Sequence, residues 1–222
     1  MRFALMSWTF AALVALAAPG GAARAEMSFS IVKVGGAAGC GAKCALAVAA
    51  DGDITDSTAS EFLAFVRANG NRDLHSVVLI NSPGGKVVGS MEFGRVLRKI
   101  GALAIVARPV VDSNGVTHIA QGRCFSACVY ALMGARKRIV PTQSMVGIHR
   151  MFAVDYSVDP AGGRQQQRRF DDGNMRDVLA RYSSEMGVSR ELINKAEQTS
   201  TDSIHVLTPA ELARWRLGSS RF

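Results

Sequence analysis

The chain has few aromatic residues and lacks the dense basic surface that nucleic-acid binding requires. Phe, Trp and Tyr make up 7% of its 222 residues, and the formal net charge of +8 comes from Lys and Arg scattered along the sequence. The one dense basic cluster spans residues 164–169. Because a nucleic-acid site needs a clustered patch or stripe of charge, we expect no nucleic-acid partner. The 48% of hydrophobic and 20% of charged residues exclude a mainly disordered chain.

The chain also lacks a second long hydrophobic run. The first, residues 3–18, follows a positively charged start and precedes a Pro-Gly-Gly sequence and small residues at the positions that a signal peptidase reads. This layout predicts a secretory signal at residues 1–25, cleaved after Ala25. An uncleaved anchor is the alternative, but a spanning helix needs about 20 apolar residues. We expect a periplasmic or secreted protein without stable membrane insertion, and a single mature domain at 26–222.

Cysteine is scarce, with four residues in the whole chain. They form two C-x-x-x-C pairs, Cys40 with Cys44 and Cys124 with Cys128. An exported protein usually oxidises such thiols, so local pairing within each C-x-x-x-C is the first expectation among the three connectivities that four cysteines allow. A zinc site built from all four thiolates is the alternative. We expect no metal.

Alternating strand and helix patterns predict an α/β fold with a mostly parallel sheet. Apolar runs typical of buried strands occur at residues 45–50, 76–81, 102–107, 138–140 and 145–148. Helical patterns occur at residues 57–66, 87–100, 126–134, 164–186, 189–198 and 209–215. The last helix begins with a capping box, Thr208 followed by Glu211. Asn114-Gly115 is a strong signal for a hairpin turn.

Three segments of this pattern carry residues suited to nucleophilic catalysis. The strand-to-helix turn Ser82–Gly85 has two glycines that leave backbone N–H groups free to stabilise an oxyanion. Ser126, between Cys124 and Cys128, opens a short helix in a positive local field. His149 ends a predicted strand, where an imidazole can act as general base toward a Ser hydroxyl. Taken singly, each segment is also explained as a tight turn, a helix cap or a surface His.

Together, the order and spacing of the three segments resemble the caseinolytic protease P (ClpP) family of serine peptidases. The shared pattern is S-P-G-G, then G-x-x-x-S, then a strand ending in G-[IF]-H. Residues 134–141 (GARKRIVP) and 208–218 (TPAELARWRLG) also resemble segments of the family, so the resemblance covers about residues 44–218. It implies the ClpP/crotonase fold, with repeated ββα units and a mostly parallel sheet flanked by helices.

The resemblance also implies a Ser-His-Asp triad. Ser126 is then the nucleophile, His149 the general base, and the backbone N–H groups of Gly85 and Ala127 the oxyanion hole. Asp202 is the expected acid that partners His149, although more residues separate it from the C-terminal motif at Thr208 than in the family pattern. A Ser-His dyad and a backbone carbonyl acceptor are the alternatives.

This chain departs from the family in its predicted signal and in its cysteines. Cys124 as nucleophile is the rival to Ser126, but it lies off the family's nucleophile position. A link between Cys124 and Cys128, or from these to Cys40 and Cys44, would stiffen the nucleophile turn. The segment that forms an inter-ring handle in the family is polar and basic here.

The leading function is an exported serine peptidase that acts on peptides or unfolded proteins and needs no cofactor. Homo-oligomers are the family's usual assembly, and we expect no ATPase partner outside the cytoplasm. One alternative is a catalytically inactive binding or scaffold protein with the same fold. A weaker one is a crotonase-type acyl-CoA enzyme, because that chemistry needs no Ser126–His149 pair and export removes the chain from the CoA pool.

Overall fold

A computed structural model of the chain describes residues 25–34, 45–70, 74–113, 117–160 and 162–220. The predicted signal before Ala25, the cysteines Cys40 and Cys44, and the Asn114-Gly115 turn lie outside the described residues. In the described part, no helix has the length and apolar character needed to cross a membrane.

A six-stranded sheet forms the centre of the fold. The strands are β1 (Ser28–Val34), β2 (Ala45–Asp51), β3 (Leu74–Asn81), β4 (Leu103–Val111), β5 (Thr117–Gln121) and β7 (Lys137–Ile139). Their order in the sheet is β1-β2-β3-β4-β5, and β7 pairs with the start of β4 whereas β5 pairs with its end. The β2–β3, β3–β4 and β4–β7 pairs are parallel, whereas β1 and β5 pair antiparallel at the edges. This confirms the predicted mixed α/β fold with a mostly parallel sheet.

Both faces of the central strands are buried, which explains their continuous apolar sequences. Successive side chains of a strand point to opposite faces, so Val48 and Ala50 join the main core whereas Ala47 and Ala49 join a smaller cluster on the other face. Helices α1 (Thr58–Ala68), α2 (Val87–Lys99) and α3 (Cys128–Gly134) contribute to the main core. Every residue of α3 is buried.

A second, three-stranded sheet carries the segments singled out from the sequence. Strands β6 (Arg123–Phe125) and β8 (Met145–Ile148) are parallel, and β11 (His205–Val206) pairs antiparallel with β8. Both β6 and β8 end at the same edge because they are parallel. This arrangement places Ser126 and His149 at neighbouring strand ends.

One helix prediction is wrong at its start. Residues 164–170 form strand β10 (Arg164–Phe170), which pairs antiparallel with β9 (Phe152–Val158) in a two-stranded hairpin. The polar sequence of β10 has no apolar periodicity to distinguish a strand from a helix, and its backbone pairing with β9 decides the outcome. The helix α4 (Asn174–Glu185) begins only after Asp171, whose carboxylate accepts N–H groups at the helix start.

The C-terminal part ends in two short helices. These are α5 (Glu191–Glu197) and α6 (Pro209–Arg214). The predicted capping box at α6 is confirmed, because the Thr208 hydroxyl accepts the Glu211 N–H and the Glu211 carboxylate accepts the Thr208 N–H.

Candidate active site

Ser126 occupies the sharp turn between β6 and α3. Its φ of +55° lies in the left-handed region, which costs an L-residue about 1–2 kcal/mol. The turn is held because the Ser126 N–H donates to the Gly147 carbonyl of β8 at 2.9 Å and the Val129 N–H donates to the Ser126 carbonyl at 3.1 Å. Ser126 is therefore placed at the edge of a cleft by strained backbone rather than by an ordinary helix cap.

A disulfide closes the chain around Ser126. Cys124, in β6, is bonded to Cys128, the first residue of α3, and both residues are fully buried. This confirms the predicted local pairing of these two cysteines. It also contradicts a zinc site that would use their thiolates, and it leaves Cys124 without the free thiol that a Cys nucleophile needs.

The turn Ser82–Gly85 packs directly on the Ser126 turn. The Ser82 N–H donates to the Arg123 carbonyl at 2.8 Å, and the Phe125 N–H donates to the Ser82 carbonyl at 3.1 Å. Gly84 then passes so close that a β-carbon on it would lie 2.9 Å from the Ser126 Cβ and from the Phe125 carbonyl oxygen. Only glycine permits this approach, so the two turns form one rigid unit.

Two backbone N–H groups in this unit are available as donors. Gly85 has a φ of +136° and bridges to Ile54 through its neighbours, with the Ile54 N–H donating to Gly84 and the Lys86 N–H donating to Ile54. Ala127 is the first residue after the Ser126 turn and caps α3. Among the described residues, neither the Gly85 nor the Ala127 N–H has a hydrogen-bond acceptor. Both residues line the cleft beside Ser126.

His149 follows β8 and lines the same cleft. Its Nδ1 lies 2.7 Å from the carbonyl oxygen of Arg150, which can only accept, so Nδ1 carries the proton and Nε2 is left free. The ring also lies 6.0 Å from the Phe152 ring, measured between centroids. Within the described part of the chain, the Ser126 hydroxyl makes no hydrogen bond, to His149 or to any other group.

Asp202 does not have the place expected of a triad acid. Its carboxylate lies 2.5 Å from Nη1 of Arg168 on β10, and 76% of its side chain is exposed. His149 Nδ1 lies next to the Arg150 carbonyl instead, which is the type of contact that the backbone-carbonyl alternative requires. The apolar Ile204, just before β11, packs against Gly147 of β8 and lines the cleft.

The cleft is large and is lined by both polar and apolar residues. It has a volume of about 1480 Å³ and includes Ser126, Ala127, Gly85 and His149. Its other apolar walls come from Tyr130, Met151, Phe152, Val154 and Ile204. This volume exceeds the roughly 300–1,000 Å³ of small-molecule sites, and strand β9 forms one side. The cleft thus has more space than a compact small molecule needs.

One carboxylate close to His149 was not predicted from the sequence. Glu197, the last residue of α5, has a side chain only 14% exposed and lies against Arg150 and Met151. Burial raises the pKa of Glu197, while the Met151 N–H and the charge of Arg150 oppose the rise. No local motif marks this residue, because its contacts are with a segment far away in the sequence.

Comparison with solved structures identifies the class of fold. A mutant of the 1510-N membrane-bound stomatin-specific protease aligns with a TM-score of 0.53 at 15% identity, over 79% of each chain. Another mutant of that protease, in complex with a substrate peptide, gives 0.52 at 15% identity over 79% of this chain and 74% of its own. ClpP1 from Listeria monocytogenes gives 0.46 at 17% identity, over 75% and 84%. The chain has the fold of the ClpP-like serine peptidases.

No protein-family model and no curated protein matches the sequence. The likeness at these identities extends to the fold, and the chemistry has to be argued from the residues of this chain.

Proposed function

We propose that the chain is an exported serine peptidase that cleaves peptide bonds through an acyl-enzyme. The observation that carries the proposal is the Ser126 turn: a serine in left-handed backbone, with the Gly85 and Ala127 N–H groups lacking acceptors in the described chain, on the cleft that also holds His149. A strained nucleophile turn beside two preorganised donors suits acyl transfer.

Each of these residues has a role in a step of the proposed reaction. Ser126 Oγ attacks the carbonyl carbon of the substrate while His149 Nε2 takes the hydroxyl proton, and the Gly85 and Ala127 N–H groups bind the resulting oxyanion. Collapse breaks the C–N bond, and His149 returns the proton to the departing amine. Water then attacks the acyl-enzyme, giving its proton to His149, and the carboxylic acid leaves as Ser126 recovers its proton.

The proposed mechanism requires one movement. Because the described residues include no hydrogen bond between Ser126 and His149, the mechanism requires their side chains to approach when substrate binds. Catalytic hydrogen bonds are often long or absent in free enzymes and form in the complex. The Arg150 carbonyl, at 2.7 Å from Nδ1, keeps the tautomer of His149 that such a step needs.

The size of the cleft supports an extended peptide or unfolded protein as substrate. The buried Cys124–Cys128 disulfide supports an oxidising compartment, and with it the proposed export to the periplasm or medium. In such a compartment we expect activity without an ATPase partner.

A fluorophosphonate probe tests the proposal, because it phosphonylates an activated serine. We expect the purified mature protein to be labelled at Ser126, the Ser126→Ala variant to resist labelling, and the His149→Ala variant to react at least about 10³-fold more slowly. The matched control is His118→Ala, which removes an exposed imidazole remote from the cleft lining and should leave labelling unchanged.

A catalytically inactive scaffold is the second candidate. The pairing of Asp202 with Arg168 and the unbonded Ser126 hydroxyl favour it. Folded protein that the probe does not label would establish this candidate in place of the peptidase.

A further inference from the structure

A single peptide unit joins His149 to the half-buried carboxylate of Glu197. The carbonyl of Arg150 and the N–H of Met151 belong to the same planar amide, and in a trans peptide they point in opposite directions. The carbonyl end lies 2.7 Å from His149 Nδ1. The N–H end donates to Oε1 of Glu197 over a long 3.5 Å. The amide therefore lies between the imidazole and the carboxylate.

The segment that follows α5 holds this peptide in place at further points. The Arg150 N–H donates to the Thr199 carbonyl at 3.0 Å. The Arg150 guanidinium lies with Nε 3.5 Å from Glu197 Oε2 and is stacked 4.5 Å from the centroid of the Phe170 ring. These contacts restrain the N–H and the side chain of Arg150, next to the carbonyl that meets His149.

We propose that Glu197 is a positioning residue that does the work of the triad acid through the Arg150–Met151 peptide. The inference rests on the proposed acyl-transfer function. A carboxylate that accepts an amide N–H polarises the amide, and hydrogen bonds in such a chain strengthen one another. The carbonyl thereby becomes a better acceptor for His149, and the negative charge favours the imidazolium that forms when Ser126 loses its proton.

The proposal gives Glu197, rather than Asp202, the role of orienting His149. The Asp202 carboxylate forms an ion pair with Arg168 at the surface. The Glu197 side chain is only 14% exposed, and its carboxylate is separated from the imidazole by one amide. No proton moves to Glu197 in the reaction. The carboxylate stays ionised and acts by its charge and by holding the amide.

The surroundings of Glu197 make its charge dependent on pH. Burial raises its pKa, Asp171 raises it further, and the Met151 N–H, Arg150 and Arg176 lower it; the buried phenol of Tyr130 also faces this charge. As the pH falls through this raised value, the carboxyl takes up a proton and becomes electrically similar to a glutamine. The difference in reactivity of Ser126 between the wild type and a Glu197→Gln variant should then disappear.

The experiment compares the rate of fluorophosphonate labelling at Ser126 in the full mature protein and in Glu197→Gln. This substitution leaves one oxygen that can accept the Met151 N–H, and it replaces the other, charged oxygen by a neutral NH2 group. At about pH 8 we expect labelling of the variant to be about 10–100-fold slower, with an unchanged urea midpoint. The ratio of the two rates should fall toward one as the pH is lowered through the raised pKa of Glu197. Glu191→Gln, at the exposed start of the same helix, is the matched control and should label like the wild type.

The outcomes separate the inference from the proposed function. Wild-type protein that is not labelled would refute the peptidase proposal. Labelled wild type together with a Glu197→Gln variant that reacts equally fast would overturn the positioning role alone. A rate ratio that stays constant as the pH is lowered from about 8 to about 4 would also overturn it, because it would indicate a structural effect independent of charge. If Glu197→Gln proves unstable, the labelling rate at about pH 8 of Glu197→Asp, which keeps the charge, decides: retention of more than half of the wild-type rate supports the role, and a lower rate overturns it.

Discussion

Opening the Cys124–Cys128 disulfide should loosen the turn that carries Ser126. The disulfide spans a sequence separation of four residues and closes a small loop around a residue with φ +55°. A Cys40→Ala/Cys44→Ala background leaves it as the sole cysteine pair, so a reductant then acts on this bond alone. Reduction breaks the cross-link without creating a cavity, because both sulfur atoms stay in place.

The expected loss follows from chain entropy. A cross-link over a loop of about five residues removes roughly 7 cal/mol/K from the unfolded chain, which corresponds to about 2 kcal/mol at 25 °C. Left-handed backbone at Ser126 costs about 1–2 kcal/mol. The disulfide thus offsets the strain of the turn almost completely, and its reduction should lower the free energy of unfolding by about 2 kcal/mol.

Urea unfolding of the background variant, with and without dithiothreitol, measures this loss. In parallel, the rate of fluorophosphonate labelling should fall on reduction, since the turn samples conformations in which Gly85 and Ala127 no longer face one oxyanion. Complete alkylation of Cys124 and Cys128 before reduction would show that the bond is absent. A change in unfolding free energy below about 0.5 kcal/mol with the bond intact beforehand would refute the entropic reasoning.

Two further predictions concern stability. Gly85→Ala should lower the free energy of unfolding in urea by at least about 3 kcal/mol, because the φ of Gly85 is +136° and the new Cβ would lie 2.0 Å from the Ile54 carbonyl oxygen. The control Gly101→Ala, at φ +71° with open space around it, should lower it by only about 1 kcal/mol. Equal losses in the two variants would contradict this reasoning. Although burial opposes it, hydrogen bonds from the start of α6 and from His205 lower the pKa of Glu211 below its ordinary 4.5. Its stabilisation is therefore complete above that value and is lost as the pH falls through the lowered one, so Glu211→Gln should flatten the acid limb of the stability curve, and an unchanged limb would refute the assignment.

Local sequence patterns were sufficient for the parts of the site that neighbouring residues build. The glycines of Ser82–Gly85 require a tight turn after a buried strand, and the spacing of Cys124 and Cys128 across a strand-to-helix junction brings their sulfur atoms together. The capping box at Thr208 is likewise complete within four residues. In each case the interacting groups are close in the chain, so the physics that joins them is visible in the sequence.

Tertiary structure decided the remaining features. The polar segment Arg164–Phe170 became a strand because β9 satisfies its backbone, and the same hairpin brought Arg168 to Asp202 and withdrew that carboxylate from His149. Glu197 reached the site only because the end of α5 packs against residues 150 and 151. The sequence alone thus determined which residue types were available for catalysis and which turns present them. Which carboxylate lies near the histidine was decided by long-range packing, because electrostatic influence depends on distance and burial in space rather than on spacing along the chain.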